Sequence, residues 1–324
     1  MSLIHQCHVT TVAKTVCDDA ETQATRQRLN EQLASYTPQR VYHDLLKEEA
    51  DVKLIWQEES FDVRMRRSIV GLYLIPLMIG EKIYWFVVDT GAQISSICME
   101  VLQDHPLKKL QGALAIRSVG GKEKSMSGYM MDTMKLGSLT IQNLPMVMLE
   151  SSLLPAILTH WSAFRFAGIL GWDVLSRLDF EMDDVDKKFK VVKNRYTFAH
   201  PNMVTTMFPI FLTKDKHQNL LVMGFDSGAR YSWVNLKMME KLAYPLSQES
   251  QMLGYGVHGM EAMTTRIVPK MNLYLDRANI SLRNVHTAET EVFRNVELDG
   301  ILGNEIFRNR RIRLINHQAM ALIV

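Results

Sequence analysis

An internal repeat constrains the fold of this chain more than any other feature. Residues 89–97, DTGAQISSI, align with residues 226–234, DSGARYSWV, so that an Asp, a hydroxyl residue, Gly, Ala and a later Ser all match. Further along, residues 168–175, GILGWDVL, match residues 300–307, GILGNEIF. The two motifs recur in the same order, and 79 and 74 positions separate each Asp from its GILG segment. A repeat of roughly 130 residues has the size of a small domain, so a duplicated domain is the simplest explanation.

The first Asp of the repeat follows a segment that predicts a buried strand. Residues 83–88, IYWFVV, form a continuous run of β-branched and aromatic residues. An ionised Asp at the end of such a strand is costly unless it is paired or hydrogen-bonded. One interpretation is that Asp89 caps a turn and Gly91 supplies backbone freedom. The second copy of the motif favours a chemical role for Asp89 together with Asp226.

Two repeated halves can pack around a twofold axis, which brings the same patch of each half together. If that patch is the Asp turn, Asp89 and Asp226 face each other and share one proton, because two close carboxylates do not both ionise readily. One carboxylate can then act as a general base on water, and the other as a general acid. Asp89 and Asp226 are therefore the candidate catalytic residues.

The residues beside each Asp suit this chemistry in pairs that occupy matching positions. Hydroxyl groups can hydrogen-bond across to the other half, glycines permit a tight turn, and alanines leave room for a substrate backbone. We expect the hydroxyl and glycine pairs to support the dyad, and the alanine pair to contact substrate. In that order the pairs are Thr90 and Ser227, Gly91 and Gly228, and Ala92 and Ala229.

With these paired motifs, the chain resembles the aspartic peptidases of the retropepsin and pepsin group, over about residues 69–324. The motif with Ala in the fourth place of both copies resembles the Asp motif of retropepsins. The presence of both copies on one chain resembles the arrangement of pepsins. The resemblance implies a mostly β, bilobal acid-protease fold of two retropepsin-like β-barrel lobes. It also implies an aspartic endopeptidase that hydrolyses an extended peptide or protein between the lobes, with an Asp89/Asp226 dyad and an activated water and without a cofactor or metal. The alternative is a non-catalytic peptide-binding or scaffolding protein on the same fold.

At one position in each copy, the chain departs from the retropepsin pattern. Retropepsins usually carry an acid directly after the Ala, where it helps to hold the substrate main chain, but here the residues are Gln93 and Arg230. Both stay candidates for substrate binding. Arg230 lowers the apparent pKa of the dyad only if its side chain points into the cleft, and a solvated arginine is the alternative interpretation.

The resemblance also implies a β-hairpin flap between each Asp and its GILG segment. Residues 117–128 contain Gly120 and Gly121, which mark a tight turn. Residues 253–261 are rich in glycine and include Tyr255, Gly256 and His258. We predict that these five residues contact substrate, as lids over a site do. An ordinary exposed hairpin is the alternative for each segment.

The remaining sequence divides the chain into three parts. We expect a helical N-terminal extension over residues 1–60, a first lobe over 61–200 and a second over 201–324. Residues 18–36 and 41–57 are the two expected helices. They could pack on the lobes, bind a protein partner or belong to a removable segment, and packing on the lobes is the first choice.

Composition narrows the class of protein further. The 37 basic and 35 acidic side chains give a net charge of +2, which argues against nucleic acid as a partner. Three cysteines predict no disulfide framework, and no cluster has zinc-ligand spacing. The start lacks a secretory pattern, and no apolar run is long enough to span a bilayer. We therefore expect a cytoplasmic monomer without a membrane segment.

Overall fold

The computed structural model describes residues 6–12, 19–47, 50–117, 123–149, 166–193, 197–206, 208–256, 259–288 and 296–324. It describes only the backbone of residues 115–117, 123–124, 252–256 and 259–263. Within this part of the chain, strands dominate, which confirms the prediction of a mostly β fold. None of the helices described is both long and apolar enough to cross a membrane.

The strands are numbered here in chain order. Those of the first half are β1 Gln6–Thr11, β2 Lys53–Trp56, β3 Ser60–Arg64, β4 Arg66–Arg67, β5 Tyr73–Ile79, β6 Lys82–Val88, β7 Ser96–Cys98, β8 Lys108–Arg117, β9 Glu123–Leu136, β10 Leu139–Leu149, β11 Gly168–Leu170, β12 Asp179–Asp183 and β13 Lys188–Val192. Those of the second half are β14 Met203–Thr205, β15 Pro209–Asp215, β16 Leu220–Asp226, β17 Trp233–Asn235, β18 Ser250–Gly256, β19 Gly259–Thr265, β20 Ile267–Leu275, β21 Ala278–Ala288, β22 Gly300–Gly303, β23 Arg311–Ile315 and β24 Met320–Ile323.

The helices of the described residues are fewer than the strands. They are α1 Ala20–Leu33, α2 Pro38–Leu46, α3 Met99–Asp104, α4 Trp172–Leu175 and α5 Leu236–Lys241, with 3₁₀ turns at Asn304–Phe307 and Asn316–Gln318. The turns α4 and Asn304–Phe307 follow the two GILG segments.

Each copy of the repeat forms a closed ring of six strands. In the first copy, the hydrogen-bonded order is β5-β6-β11-β7-β10-β9, and β9 returns to β5. In the second copy, the order is β15-β16-β22-β17-β21-β20, and β20 returns to β15. The strands that correspond along the chain occupy corresponding places in the two rings. Closed sheets of this kind are consistent with an acid-protease fold.

A five-stranded antiparallel sheet joins the two halves. Its order is β24-β23-β12-β13-β3, so that β12 and β13 of the first half lie beside β23 and β24 of the second. The central pairing aligns Asp179 with Ile315 and Asp183 with Arg311. Aromatic contacts add to this connection, because the ring of Tyr73 lies 5.0 Å from that of Phe307. These contacts fix the two rings relative to each other.

The N-terminal extension differs from the sequence prediction in the length of its second helix and in the strands that it contains. It contains two helices, but the second one ends at Leu46 instead of reaching residue 57. Lys47 stops it with a left-handed conformation (φ 63°). Residues 53–56 form β2, which pairs with β10 and alternates between exposed and half-buried side chains. The alternation of apolar residues at Val52, Leu54 and Trp56 has the period of two of a strand, and it indicates the observed structure better than the helical spacing does.

The extension is also built into the sheets. Strand β1 adds to the edge of the second ring next to β21, and β3 adds to the joining sheet next to β13. Helix α1 buries Leu29 and Leu33 against apolar residues of the second half. The expected helical extension is therefore a mixed segment of helices and strands that packs on both halves.

Candidate active site

Equivalent strands place Asp89 and Asp226 at equivalent points. Strand β6 runs parallel to β11, and Asp89 donates its backbone N–H to the carbonyl of Leu170 (3.1 Å). Strand β16 runs parallel to β22, where Asp226 is aligned with Gly303. Each Asp therefore stands at the carboxyl end of a central strand, beside its own GILG segment.

Backbone amides of each turn bind the carboxyl group of that turn. Oδ1 of Asp89 accepts hydrogen bonds from the amides of Gly91 (2.9 Å) and Ala92 (3.1 Å). Oδ1 of Asp226 accepts them from the amides of Gly228 (2.8 Å) and Ala229 (3.1 Å). These bonds fix the orientation of both carboxyl groups.

The two Asp turns are joined by reciprocal hydrogen bonds between Thr90 and Ser227. The Thr90 amide donates to Oγ of Ser227 (3.0 Å), and the Ser227 amide donates to Oγ1 of Thr90 (2.9 Å). Each hydroxyl then donates to a carbonyl of the opposite half, Thr90 to Phe225 (2.8 Å) and Ser227 to Val88 (2.8 Å). Both side chains are buried. This pattern holds the two turns together where the halves meet.

Glycine at positions 91 and 228 lets the carboxyl groups approach the opposite turn. A Cβ built on Gly91 would lie 2.5 Å from Cγ of Asp226, and one built on Gly228 would lie 2.5 Å from Oδ2 of Asp89. Neither distance is compatible with a side chain at those positions. The two carboxyl groups thus lie face to face, and each affects the pKa of the other.

The surroundings raise the pKa of both carboxyl groups. Burial is the largest cause for Asp89, whereas its hydrogen bonds to Asp226 and to the turn amides act in the opposite direction. Burial, followed by the charge of Asp89, raises the pKa of Asp226 well above its ordinary value. Burial and the closeness of the two carboxyl groups therefore both disfavour a state in which Asp89 and Asp226 are ionised together.

A second pair of interactions supports the turns, and the sequence prediction missed it. Ser95, six places after Asp89, binds Asp173 through its amide (3.0 Å) and hydroxyl (2.7 Å). In the second half, the amide of Ser232 binds Glu305 (2.7 Å). Both the serines and the acids had been matched between the two copies. The signal was therefore in the sequence, but no local pattern indicated that they contact each other.

The surroundings of the other predicted substrate-binding residues are described only in part. Gln93 is half-buried, whereas Arg230 is exposed and lies 5.0 Å from the ring centroid of Tyr231. The aliphatic part of Arg230 packs beside Gly71, where a Cβ would lie 3.3 Å from it. Arg230 therefore adopts the solvated position, and it is not among the groups that shift the pKa of either Asp.

The two predicted flap segments fall in hairpins. Strands β8 and β9 form the first, and Gly120 and Gly121 lie outside the described residues. Strands β18 and β19 form the second as a separate two-stranded sheet. The backbone of Tyr255 and Gly256 belongs to β18, and His258 lies outside the described residues.

Comparison with known proteins supports the resemblance for part of the chain. Residues 75–174 match a family model described as aspartyl protease. This range contains the first Asp turn and the first GILG segment, and it supports an aspartyl protease family and peptidase activity in general. The comparison with curated proteins finds no match to the chain.

Proposed function

We propose that this protein is an aspartic endopeptidase whose catalytic residues are Asp89 and Asp226. The observation that carries the proposal is the pair of facing carboxyl groups at the junction of two equivalent turns. Thr90 and Ser227 hold the two turns together by hydrogen bonds. Gly91 and Gly228 leave room for the carboxyl group of the opposite turn. The match of residues 75–174 to aspartyl proteases supports the same chemistry.

In the proposed mechanism, Asp89 is the general base and Asp226 is the general acid. Asp89 takes a proton from water, and the hydroxide adds to the peptide carbonyl carbon while Asp226 protonates the carbonyl oxygen. The gem-diol then returns a proton to Asp226 as the C–N bond breaks, and Asp89 gives its proton to the leaving amine. One carboxylate is ionised and one is protonated both before and after the cycle. The raised pKa of Asp226 is the property that this assignment needs.

We further propose that the two rings are retropepsin-like lobes of a duplicated domain, with an extended peptide or protein bound between them. The β8–β9 and β18–β19 hairpins would be its flaps, since each lies between an Asp turn and a GILG segment along the chain. Ala92 and Ala229 would line the site, with Gln93 and Arg230 at its two ends. The cytoplasmic location, the monomeric state and a protein partner at the N-terminal helices stay predictions from the sequence.

The test is digestion of a peptide library, read by mass spectrometry between about pH 4 and 8. Wild type is compared with Asp89→Asn and Asp226→Asn, each checked for folding. Asp132→Asn is the matched control, because Asp132 is an exposed aspartate outside the site. A parallel digestion with a chelator tests for metal-dependent cleavage.

The proposal predicts that wild type and Asp132→Asn cleave the same peptides, whereas Asp89→Asn and Asp226→Asn do not. Equal cleavage by all four proteins would refute the dyad. Silence of all four would contradict the peptidase assignment and favour the peptide-binding scaffold. Peptide binding by Asp89→Asn, measured on the same library, would then test that scaffold.

A further inference from the structure

The N-terminal extension reaches behind the first Asp turn through a single side chain. Tyr42 lies on α2, is fully buried, and donates its hydroxyl to Oδ2 of Asp173 (2.9 Å). Asp173 also accepts hydrogen bonds from the amide and hydroxyl of Ser95 and from the amide of Val174. The carboxylate of Asp173 thus collects donors from three separate parts of the chain.

A short path of hydrogen bonds connects Asp173 to Asp89. The amide of Gly171 donates to Oγ of Ser95 (2.9 Å), which in turn donates to Asp173. The amide of Trp172 donates to the carbonyl of Ala92 (2.7 Å), and the amide of Ala92 donates to Asp89. These bonds enclose the turn from its beginning at Asp89 to Ser95.

The hydrogen bonds to Asp173 oppose the effect of its burial. Asp173 is completely buried, and burial raises its pKa, whereas the bonds from Ser95 and Tyr42 act in the opposite direction. Burial and the nearby Asp173 raise the pKa of Tyr42, so that the hydroxyl keeps its proton and stays a donor. A buried carboxylate that loses one of its donors loses stabilisation.

The position of α2 is fixed by the β8–β9 hairpin beneath it. A Cβ built on Gly112 of β8 would lie 2.1 Å from the carbonyl oxygen of Asp44, and one on Gly128 of β9 would lie 3.0 Å from Cδ2 of Leu45. Helix α2 therefore packs tightly against both strands of the hairpin, through its backbone at Gly112 and through the Leu45 side chain at Gly128. The same helix therefore contacts both the hairpin and the support of the Asp89 turn.

The extension also approaches the equivalent acid of the second half. Strand β1 carries Cys7, and burial, followed by the negative charge of Glu305, raises the pKa of its thiol. Glu305 binds the amide of Ser232 and so holds the second turn as Asp173 holds the first. Segments of the extension thus lie behind both Asp turns.

We propose that Tyr42 is a positioning residue for the active site, and that α2 is an integral part of the catalytic unit instead of a removable segment. Tyr42 fixes Asp173, and Asp173 fixes the turn that carries Asp89 through Ser95. The kinetic consequence rests on the peptidase function proposed above, whereas the structural consequence does not.

The experiment compares Tyr42→Phe with wild type in steady-state kinetics on a peptide substrate and in hydrogen–deuterium exchange. Phe keeps the buried ring and removes only the donor. Tyr244→Phe is the matched control, because Tyr244 is also buried and donates to a buried aspartate, Asp215 (2.8 Å), outside the Asp turns. We expect kcat to fall roughly tenfold in Tyr42→Phe with little change in KM, as for partners that orient a catalytic group.

In the exchange experiment, we expect faster exchange in peptides that cover residues 89–98 and 168–175 for Tyr42→Phe, but not for Tyr244→Phe. Equal kcat losses in the two variants, or unchanged exchange in both segments, would overturn the proposal. If wild type cleaves no peptide, the proposed peptidase function fails, and the exchange data still decide whether Tyr42 orders the Asp89 turn.

A second measurement does not depend on the folding of Tyr42→Phe. Fluorotyrosine at position 42 keeps the hydroxyl and gives a fluorine NMR signal. We expect Asp173→Asn to shift that signal, because the substitution changes the group that accepts the hydrogen bond of Tyr42. A signal that does not respond would contradict the contact on which the proposal depends.

Discussion

Thr90→Val tests whether the two Asp turns are joined as the structure shows. Valine has nearly the same shape as threonine but no hydroxyl. The substitution removes the bond from Thr90 to the carbonyl of Phe225 and the bond that Thr90 accepts from the amide of Ser227. A hydrogen bond contributes about 1 kcal/mol, and a buried polar group left without a partner costs about 1–3 kcal/mol. We therefore expect a loss of roughly 2–5 kcal/mol in the free energy of unfolding.

Urea denaturation followed by tryptophan fluorescence measures this loss, with Thr90→Ser as the matched control. Serine keeps the hydroxyl and removes one methyl group, which costs about 1 kcal/mol. Ser227→Ala completes a double-mutant cycle with Thr90→Val. Because each hydroxyl binds a backbone amide that the other substitution keeps, the cycle measures the contribution of each hydroxyl separately.

The reasoning fails if Thr90→Val and Thr90→Ser unfold at the same denaturant concentration. It also fails if Ser227→Ala leaves the free energy of unfolding unchanged, since the Ser227 hydroxyl accepts from the amide of Thr90 and donates to the carbonyl of Val88. Neither outcome depends on peptidase activity. The experiment therefore tests the junction separately from the proposed function.

Three further predictions follow from charges in the structure. Asp226→Asn should raise the melting temperature at pH 7. The raised pKa of Asp226 adds stability to the folded protein at pH values below 3.8, the ordinary value for Asp, and this contribution is lost as the pH rises, whereas Asn has no charge to bury. The difference in melting temperature from wild type should therefore shrink as the pH falls towards 3.8. Arg230→Ala, unlike Gln93→Ala, should reduce the cleavage of acidic peptides in the library relative to neutral ones, since Arg230 is an exposed cation and Gln93 is neutral. Asp19→Ala should lower the free energy of unfolding by roughly 1–3 kcal/mol, because Asp19 caps α1 through the amide of Thr22 and pairs with the buried Lys214.

The repeat in the sequence predicted the placement of the two aspartates, because short-range patterns carry that information. An apolar strand, an Asp turn and a GILG segment are each contiguous in sequence, and their order along the chain is the same in both copies. Matching strands occupy matching places in the two rings as a result. The contact between Thr90 and Ser227 followed from the symmetry, without any knowledge of the rest of the fold.

The sequence could not predict contacts that depend on the N-terminal extension, because the extension lies outside the repeat. Symmetry says nothing about its course. Helical spacing extended α2 to residue 57, whereas the period of two in residues 52–56 fits the edge of a sheet. The contact between Tyr42 and Asp173 spans 131 positions and has no local signal.

The contacts of the extension also explain why the two halves need not act alike. A peptide has a direction, but two equivalent turns around an axis do not distinguish its ends. Here Tyr42 binds the acid behind the first turn, and Cys7 lies close to the acid behind the second. The matching positions after each Asp turn also differ, because Gln93 is neutral and Arg230 carries a positive charge. If Asp89 is the base and Asp226 the acid, as we propose, the unequal surroundings of two otherwise matching turns supply the asymmetry that a directed substrate requires.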